Sequence, residues 1–345
     1  MLWFDLDNSP HVPLFRPILS ELDRRGKEYI VTAREFAQTR ELLGLWGIPH
    51  HLVGEHGGKS KLKKVANLLA RSSALKRAVS GKKIDAAISH GSRTQVVAAW
   101  RMQVPAIVML DYEYTEARIF NTLAQKLIMP AAIPDERLRK AGFNLRKVVR
   151  YNGFKEEIYL ESFVPQPEFR REIGIDKNTI LVSIRPPSTT GNYHDERSES
   201  LFRACLEHFS SVPNTHCLVV NRTAAEERLI PVELRRSGKV TLLTKPVDGL
   251  QLLWHSDLVL SGGGTMNREA ALLGTPTYSI FTGQKPYLDE YLQSQGRLLF
   301  IDIPGQIRSI PVVKREIPSA FTPQMKGMAS GVTDLLLDIV NHLQS

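Results

Sequence analysis

The chain has 345 residues, 42% of them hydrophobic and 23% charged, a composition typical of a globular protein with two domains. It contains no run of about 18 apolar residues, which excludes a membrane-spanning helix, and its acidic start MLWFDLD is unlike a signal peptide. The formal net charge is +9, and the two cysteines, Cys205 and Cys217, show no metal-site or CxxC spacing. We therefore expect a cytoplasmic protein with buried, reduced cysteines.

The first half of the chain alternates short β-rich runs with helical patterns. Strands are predicted at LWFDLD, EYIVTA, DAAISHG and PAIVML, and helices at PLFRPILSELDRRG, AQTRELLGLWG and TQVVAAWRMQ. This alternation predicts a parallel sheet with helices on both faces.

A basic segment interrupts this pattern. Between His56 and Ile84 the sequence has nine lysines or arginines and no aspartate or glutamate, which equals the whole net charge of +9. Such a segment suits phosphate, a membrane surface or nucleic acid. It also suits a helix that packs on the core and turns a solvated basic face outward.

The β-α alternation pauses near residue 155, at VRYNGFKEEIYL and a proline-interrupted connector, and then resumes. The later strands are predicted at TILVSIR, HCLVVNR, VTLLT and DLVL. We therefore predict an N-terminal Rossmann-like domain over 1–155, a C-terminal Rossmann-like domain over 156–322 and an amphipathic helix within 323–345. Parallel sheets bind ligands at the carboxyl ends of their strands, which predicts a ligand cleft between the domains.

Polar residues follow the predicted strands of the first domain. His11 lies in the loop after the first strand, where it is a candidate catalytic group or a structural loop residue. Asp111 and Glu113 follow the strand PAIVML, and carboxylates there suit a general base or hydroxyl binding. Capping of the next helix alone explains the nearby Glu116.

In the second domain, small and basic residues follow the strands. They suit phosphate binding, although ordinary turns select the same residue types. The candidates are Arg185, Ser188, Thr189, Thr190 and Gly191 after one strand, Arg222 after another, and Val247 as a ledge for a flat base.

The segment SGGGTMNREAALLGTP has three consecutive glycines between a strand and a helix. Gly262, Gly263 and Gly264 form a turn without side chains, and Thr265 begins the predicted helix. The amide groups at such a helix start attract an anion. No metal-ligand spacing occurs among the ten histidines, so we predict no metal site.

SGGGTMNREAALLGTP and the preceding VDGLQLLWHSDLVL resemble the nucleotide-sugar site of GT-B enzymes. They are most similar to the lipid II-forming N-acetylglucosaminyltransferase and the UDP-N-acetylglucosamine 2-epimerases. Together with DxxNSPHV, TAR and HGSRTQ, they identify the chain as a member of domain-of-unknown-function family 354 along almost its full length.

The resemblance implies a GT-B-like fold and a metal-independent glycosyltransferase that takes a UDP-sugar as substrate and needs no cofactor. It implies that the glycine loop holds the diphosphate, that Glu269 binds the ribose hydroxyls and that His11 lies near the reacting sugar. Ser92 replaces a carboxylate of the epimerases, and only Glu113 falls where another epimerase glutamate would lie. A nucleotide-sugar epimerase or hydrolase, or a binding protein without activity, are the alternatives.

The same reading predicts the partners. We expect a nucleotide-sugar and a phosphorylated or lipid-linked acceptor, and no nucleic acid. The basic residues 59–83 predict weak contact with an anionic membrane surface. We therefore expect a cytoplasmic protein that is peripheral to the inner face of the membrane.

Overall fold

The computed structural model describes residues 1–36, 38–55, 61–187, 196–221, 224–243 and 247–344. The chain divides into two compact units. The first unit comprises Met1–Glu161 and Pro323–Ser345, and the second comprises Ser162–Thr322.

The first unit is built on a parallel sheet of seven strands in its described part. The strands are β1 (Leu2–Leu6), β2 (Tyr29–Glu35), β3 (His51–Glu55), β4 (Ala86–His90), β5 (Ala106–Met109), β6 (Lys126–Pro130) and β7 (Val148–Tyr151). Their spatial order is β3-β2-β1-β4-β5-β6-β7. The order reverses between β1 and β4, and ligands of such sheets bind beyond the carboxyl ends of the strands at this point.

Helices connect these strands, as crossover connections between parallel strands require. They are α1 (His11–Arg24), α2 (Thr39–Leu45), α3 (Lys61–Ala78), α4 (Arg93–Arg101), α5 (Arg118–Leu123), α6 (Asp135–Lys140) and α7 (Glu157–Leu160). All five residues of β1 are buried, because helices cover both faces of the central strands.

The second unit repeats this architecture. Its strands are β8 (Ile180–Arg185), β9 (Thr215–Val219), β10 (Val240–Leu242), β11 (Leu258–Ser261), β12 (Thr277–Ser279) and β13 (Leu299–Phe300). All neighbours in the order β10-β9-β8-β11-β12-β13 are parallel, and the order reverses between β8 and β11. The helices are α8 (Phe169–Glu172), α9 (Glu196–Ser211), α10 (Ala224–Glu227), α11 (Val232–Arg236), α12 (Gly249–His255), α13 (Thr265–Leu272) and α14 (Tyr287–Ser294).

The last helix, α15 (Met328–Gln344), belongs to the first unit. Its apolar face joins the core formed by β1, β2 and α1, to which it contributes Val332 and Leu336. The carboxylate of Glu161 accepts hydrogen bonds from the backbone amides of Met328 (2.9 Å) and Ala329 (3.0 Å), which satisfies two donors that the helix start leaves unpaired.

The predicted pair of Rossmann-like parallel-sheet domains is confirmed. The units change over at Glu161–Ser162, whereas the sequence suggested residue 155, and the C-terminal helix is an integral part of the first unit. The short strands β3, β6, β7, β12 and β13 were not predicted. No helix in the described part of the chain is long and apolar enough to cross a membrane.

Candidate functional site

At the carboxyl end of β1, a histidine and an aspartate form a close pair. His11 is the first residue of α1, and its Nδ1 lies 3.2 Å from Oδ1 of Asp7. Burial would raise the pKa of Asp7, but the proximity of His11, Arg34 and Arg71 outweighs it and lowers this pKa to about 2. An aspartate that stays ionised beside a ring nitrogen can fix the orientation of the imidazole and stabilise its protonated form.

A second histidine-aspartate pair faces the first. The rings of His11 and His90 have their centroids 5.0 Å apart, and Nε2 of His90 lies 3.2 Å from Oδ1 of Asp111. The buried ammonium of Lys155 donates to the other carboxylate oxygen of Asp111. Burial lowers the pKa of His90; Asp111 opposes this effect and Lys155 adds to it. Residues at or just after the carboxyl ends of β1, β4, β5 and β7 thus form one polar cluster, which consists of Asp7, His11, His90, Asp111 and Lys155.

Of the three predicted catalytic residues, His11 and Asp111 belong to this cluster. His11 and Asp111 are brought together through His90. The Asp111 carboxylate is already paired with Lys155, so as a base it would first have to break that ion pair. Glu113 is completely buried two residues further along. His11 is therefore the predicted catalytic residue whose surroundings best suit proton transfer.

A buried ion pair lies next to the cluster. Arg71 of α3 donates two hydrogen bonds to the carboxylate of Asp5, at 2.8 Å and 2.9 Å, and one to the carbonyl of Val53 at 2.9 Å. The hydroxyl of Ser92 donates to Asp5 at 2.6 Å and accepts from the amide of Gln95 at 3.2 Å as the cap of α4. Ser92, which the sequence resemblance predicted to replace an epimerase carboxylate, thus caps α4 and binds Asp5.

The glycine loop lies at the corresponding point of the second sheet, between β11 and α13. A Cβ atom at Gly262 would lie 2.7 Å from the Cα of Pro187, and one at Gly263 would lie 3.1 Å from the ring of Phe281. Packing therefore requires glycine at Gly262 and disfavours a side chain at Gly263, whose φ of 106° also favours glycine. Gly264 adopts a φ of 84°, which favours glycine, but no atom of the described residues lies within 4 Å of where its Cβ would be. The open space at Gly264 and at the start of α13 could admit an anion.

The first turns of α13 carry further polar groups. Asn267 is completely buried, and neither its Oδ1 nor its Nδ2 has a hydrogen-bond partner in the described part of the chain. Arg268 makes a buried ion pair with Asp289 of α14, with Nη1 3.1 Å from Oδ1. Thr265 and Glu269 are partly exposed on the same helix. Buried amide groups without partners are rare, and a bound ligand is one way to satisfy them.

The other predicted residues of the second unit lie in several places. Arg185 ends β8 and pairs in register with Ser261, and its carbonyl accepts from the amide of Gly262 at 3.3 Å. Val247 packs against the small apolar cluster around Phe169. Ser188, Thr189, Thr190, Gly191 and Arg222 lie outside the described residues.

The sequence interpretation missed three members of the polar cluster: Asp7, His90 and Lys155. Asp7 and His11 have an i, i+4 spacing, and His90 ends a predicted strand, so both carried a usable signal. Lys155 follows β7, a strand that was not predicted.

Two Rossmann-like units, each built on a parallel sheet, are the architecture of GT-B-type proteins. The chain belongs to the family described as "Protein of unknown function (DUF354)", whose profile matches residues 1–342. An uncharacterized protein of Methanocaldococcus jannaschii is 27% identical over 307 residues, covering 86% of each chain.

Solved structures share the fold at low sequence identity. The UDP-GlcNAc 2-epimerase of Neisseria meningitidis, bound to UDP-GlcNAc, superposes with a TM-score of 0.73 at 16% identity, covering 98% of this chain and 99% of that one. The M. jannaschii UDP-GlcNAc 2-epimerase, in complex with UDP-GlcNAc and UDP, gives 0.72 at 12% identity, with 99% of each chain covered. Anabaena HepE, in complex with UDP and glucose, gives 0.52 at 16% identity, covering 81% and 80%. At these identities the likeness establishes the GT-B-like fold.

Proposed function

We propose that the protein is an enzyme that binds a nucleotide-sugar, with the diphosphate on the glycine loop of the second unit. The observation that carries this proposal is the loop itself, at the point where the strand order reverses. Among the described residues, Gly264 has open space before the amide groups of α13, and these amides carry the positive end of the helix dipole. The buried side-chain amide of Asn267, which has no hydrogen-bond partner among the described residues, adds hydrogen-bonding capacity close to this helix start.

The base and sugar are proposed on the family resemblance and on the fold. UDP is the nucleotide named with the structures of similar fold, so a UDP-sugar is the first candidate. Glu269 would accept hydrogen bonds from the ribose hydroxyls, and Arg185 would help to neutralise the diphosphate. Backbone amides and arginine can stabilise a leaving diphosphate, so we propose a reaction without a metal or other cofactor.

We propose glycosyl transfer as the reaction. His11 would take the proton of an acceptor hydroxyl while that oxygen attacks the anomeric carbon of the sugar. The bond from this carbon to the diphosphate oxygen would break, and UDP would leave with the bonding electrons. The contact with Asp7, 3.2 Å from Nδ1 of His11, supports this role, because the carboxylate would stabilise the imidazolium that forms when His11 takes the proton.

Epimerisation within one nucleotide-sugar is the second candidate. The epimerase structures cover 98% or 99% of this chain, which favours it. Against it, Ser92 stands where the resemblance expects a carboxylate, and its hydroxyl is already bound to Asp5. Asp111 is held by Lys155. The described cluster thus offers fewer available carboxylates than the epimerases are expected to use.

Two measurements test the proposal in sequence. A thermal-shift screen comes first, because a nucleotide diphosphate that binds the folded state raises the melting temperature by mass action. UDP release from UDP-sugars is then followed with and without a pool of phosphorylated and lipid-linked acceptors, and with a chelator. Acceptor-dependent release that survives the chelator supports transfer. Conversion without an acceptor supports epimerisation or hydrolysis, and no shift at millimolar nucleotide contradicts nucleotide binding altogether.

A further inference from the structure

A cavity of about 930 Å³ in the first unit lies away from the candidate site. Its lining includes Lys76 and Val79 at the end of α3, Trp100 and Arg101 at the end of α4, and Val104 before β5. In a β-α-β connection, each helix ends near the amino end of the next strand. The cavity is therefore at the opposite edge of the sheet from the polar cluster of His11.

The surroundings of this cavity are strongly basic. Lys76, Lys82 and Arg101 line it and are exposed, and the lining contains no acidic residue. From His56 to Leu110 the sequence has eleven lysines or arginines and a single acidic residue, Asp85. Charges of one sign without counter-charges create a potential that attracts anions.

Two large apolar side chains are exposed on the same helices. Trp100 of α4 is 60% exposed and Leu69 of α3 is 51% exposed. Leu69, Ser73 and Lys76 follow one another at helical spacing, so they lie along one side of α3. Arg101 donates to the hydroxyl of Ser73 at 2.8 Å, which places the end of α4 beside this row. Leu69, Lys76, Lys82, Trp100 and Arg101 form what we name the α3–α4 patch.

We propose that the α3–α4 patch docks onto a membrane surface that contains anionic phospholipids. Lysine and arginine beside such a surface gain electrostatic energy, and tryptophan is favoured at the depth of the headgroups. Leu69 gains by burial at the acyl boundary, a gain that neither a nucleic acid nor a soluble phosphate offers. This docking is independent of the reaction proposed above, because the patch lies outside the candidate site.

Flotation with vesicles tests the charge contribution. The full chain is mixed with vesicles of equal parts phosphatidylcholine and phosphatidylglycerol, or of phosphatidylcholine alone. We expect binding to the anionic vesicles only, and loss of binding at high salt. Substitution of the three cations Lys76, Lys82 and Arg101 by Gln should weaken partitioning on the order of 100-fold. The matched control replaces Arg235, Arg236 and Lys239, which are exposed on the second unit, by Gln and should bind like the parent.

The fluorescence of Trp100 tests the apolar contribution. The chain has four tryptophans, of which Trp3 and Trp254 are buried and Trp46 is partly exposed with Arg16 over its ring. A blue shift on addition of anionic vesicles, absent in Trp100→Phe, is expected. Leu69→Ala should weaken binding several-fold, whereas Leu45→Ala, at a position 75% exposed on α2, should leave it unchanged.

Several outcomes would overturn the proposal. One is equal vesicle binding by the parent and the three-cation variant of the patch. Another is loss of binding in a Lys59, Lys61, Lys63 and Lys64 to Gln variant while the patch variant still binds, which would assign the contact to the earlier half of the basic segment. A third is a protein that ignores anionic vesicles but binds nucleic acid through the same three cations. A functional failure of the enzyme leaves these measurements untouched, since none of them uses turnover.

Discussion

The two sheets of this protein reverse their strand order in the same way, yet they place different chemistry at that point. In the first unit, Asp7, His11, His90, Asp111 and Lys155 bring ionisable side chains together. In the second unit, three glycines and the first turn of a helix present backbone amides. The first arrangement is suited to moving protons, and the second is suited to holding an anion without titrating.

The difference has a structural cost in the first unit. Charges removed from water need paired partners, and removing one partner of a buried ion pair typically costs several kcal/mol. The Asp5–Arg71 pair, with additional hydrogen bonds from Ser92 and Thr32, shows how the polar groups of the first unit satisfy one another. The glycine loop needs no such network, because its requirements are steric.

The largest expected effect is on catalysis through the first unit. We expect His11→Ala to lower the rate of UDP release by about 10²- to 10⁴-fold, since this is the range that general acid-base groups contribute. UDP affinity should stay within about twofold of the parent, because the nucleotide is assigned to the second unit. Steady-state rates and calorimetric titration measure the two quantities.

His51→Ala is the matched control for this experiment, because His51 is an exposed histidine of the same unit. It should retain the parental rate. A folded His11→Ala protein with full turnover would show that His11 takes no part in the mechanism. A loss of UDP affinity equal to the loss of rate would contradict the proposal that the first unit transfers the proton and the second unit binds the nucleotide.

The next effect concerns binding in the second unit. Glu269→Gln removes a charge with little change of shape, and losing a charge-assisted hydrogen bond costs about 1.5–3 kcal/mol, or roughly 10- to 150-fold in affinity. We expect a melting temperature close to that of the parent and UDP binding at least about tenfold weaker. Affinity for 2′,3′-dideoxy-UDP should not change. Equal UDP affinity in parent and variant would disprove the ribose contact.

Substitution by alanine can distinguish the roles of Gly262 and Gly264. Gly262→Ala places a Cβ atom 2.7 Å from the backbone of Pro187, so we expect a loss of stability of about 1–3 kcal/mol from overpacking. Gly264→Ala meets no atom of the described residues within 4 Å, but its backbone, at φ 84° and ψ −152°, lies in a region essentially confined to glycine, so we expect a cost of about 1–3 kcal/mol from backbone strain. Denaturant unfolding measures both.

Binding should rank these two variants differently. If a diphosphate approaches the backbone at Gly264, the alanine methyl group there would obstruct it, and folded Gly264→Ala should lose more UDP affinity than folded Gly262→Ala, whose added methyl group faces Pro187. Parental UDP affinity in Gly264→Ala would show that the open space at this glycine serves no ligand.

The contrast between the units also explains what could be predicted from the sequence. The glycine loop is a local signal, because its strand, turn and helix are contiguous, and the motif SGGGTMNREAALLGTP was sufficient to find it. The long strands and helices were likewise predicted from their own periodicity. Local patterns could not reveal that Pro187 leaves no room for a Cβ at Gly262 and that Phe281 crowds Gly263, since those residues come from other loops.

The polar cluster depends on topology instead. His11 and Lys155 come from the ends of β1 and β7, which are far apart in the sequence. Predicting that Lys155 holds Asp111 requires the presence of β7, a four-residue strand with no strong alternation, and its place in the sheet. His90 is the first residue of the motif HGSRTQ, but only the strand order shows that it lies between His11 and Asp111.

The last expected effect is on stability in acid, and it applies to the first unit. The pKa of Asp7 is about 2 in the folded protein, against an ordinary value of 3.8. The unfolded chain therefore takes up a proton first as the pH falls. The stabilisation from ionised Asp7, on the order of 2 kcal/mol, is complete above about pH 4 and is lost between about pH 4 and pH 2. Asp7→Asn should lack this contribution, so its stability should converge with that of the parent across this window.

Labelling of the two cysteines shows whether this effect is confined to the first unit. Cys205 and Cys217 are buried in the core of the second unit, and burial raises the pKa of each thiol to about 12. Both should resist an acid-active disulfide reagent until the second unit unfolds. We therefore expect Asp7→Asn to change how the urea midpoint for unfolding of the first unit depends on pH, without changing the rate of thiol labelling. Asp338→Asn, at an exposed site, should change neither quantity. Faster thiol labelling in Asp7→Asn would show that the two units unfold together. The two units would then not differ in how their stability depends on pH.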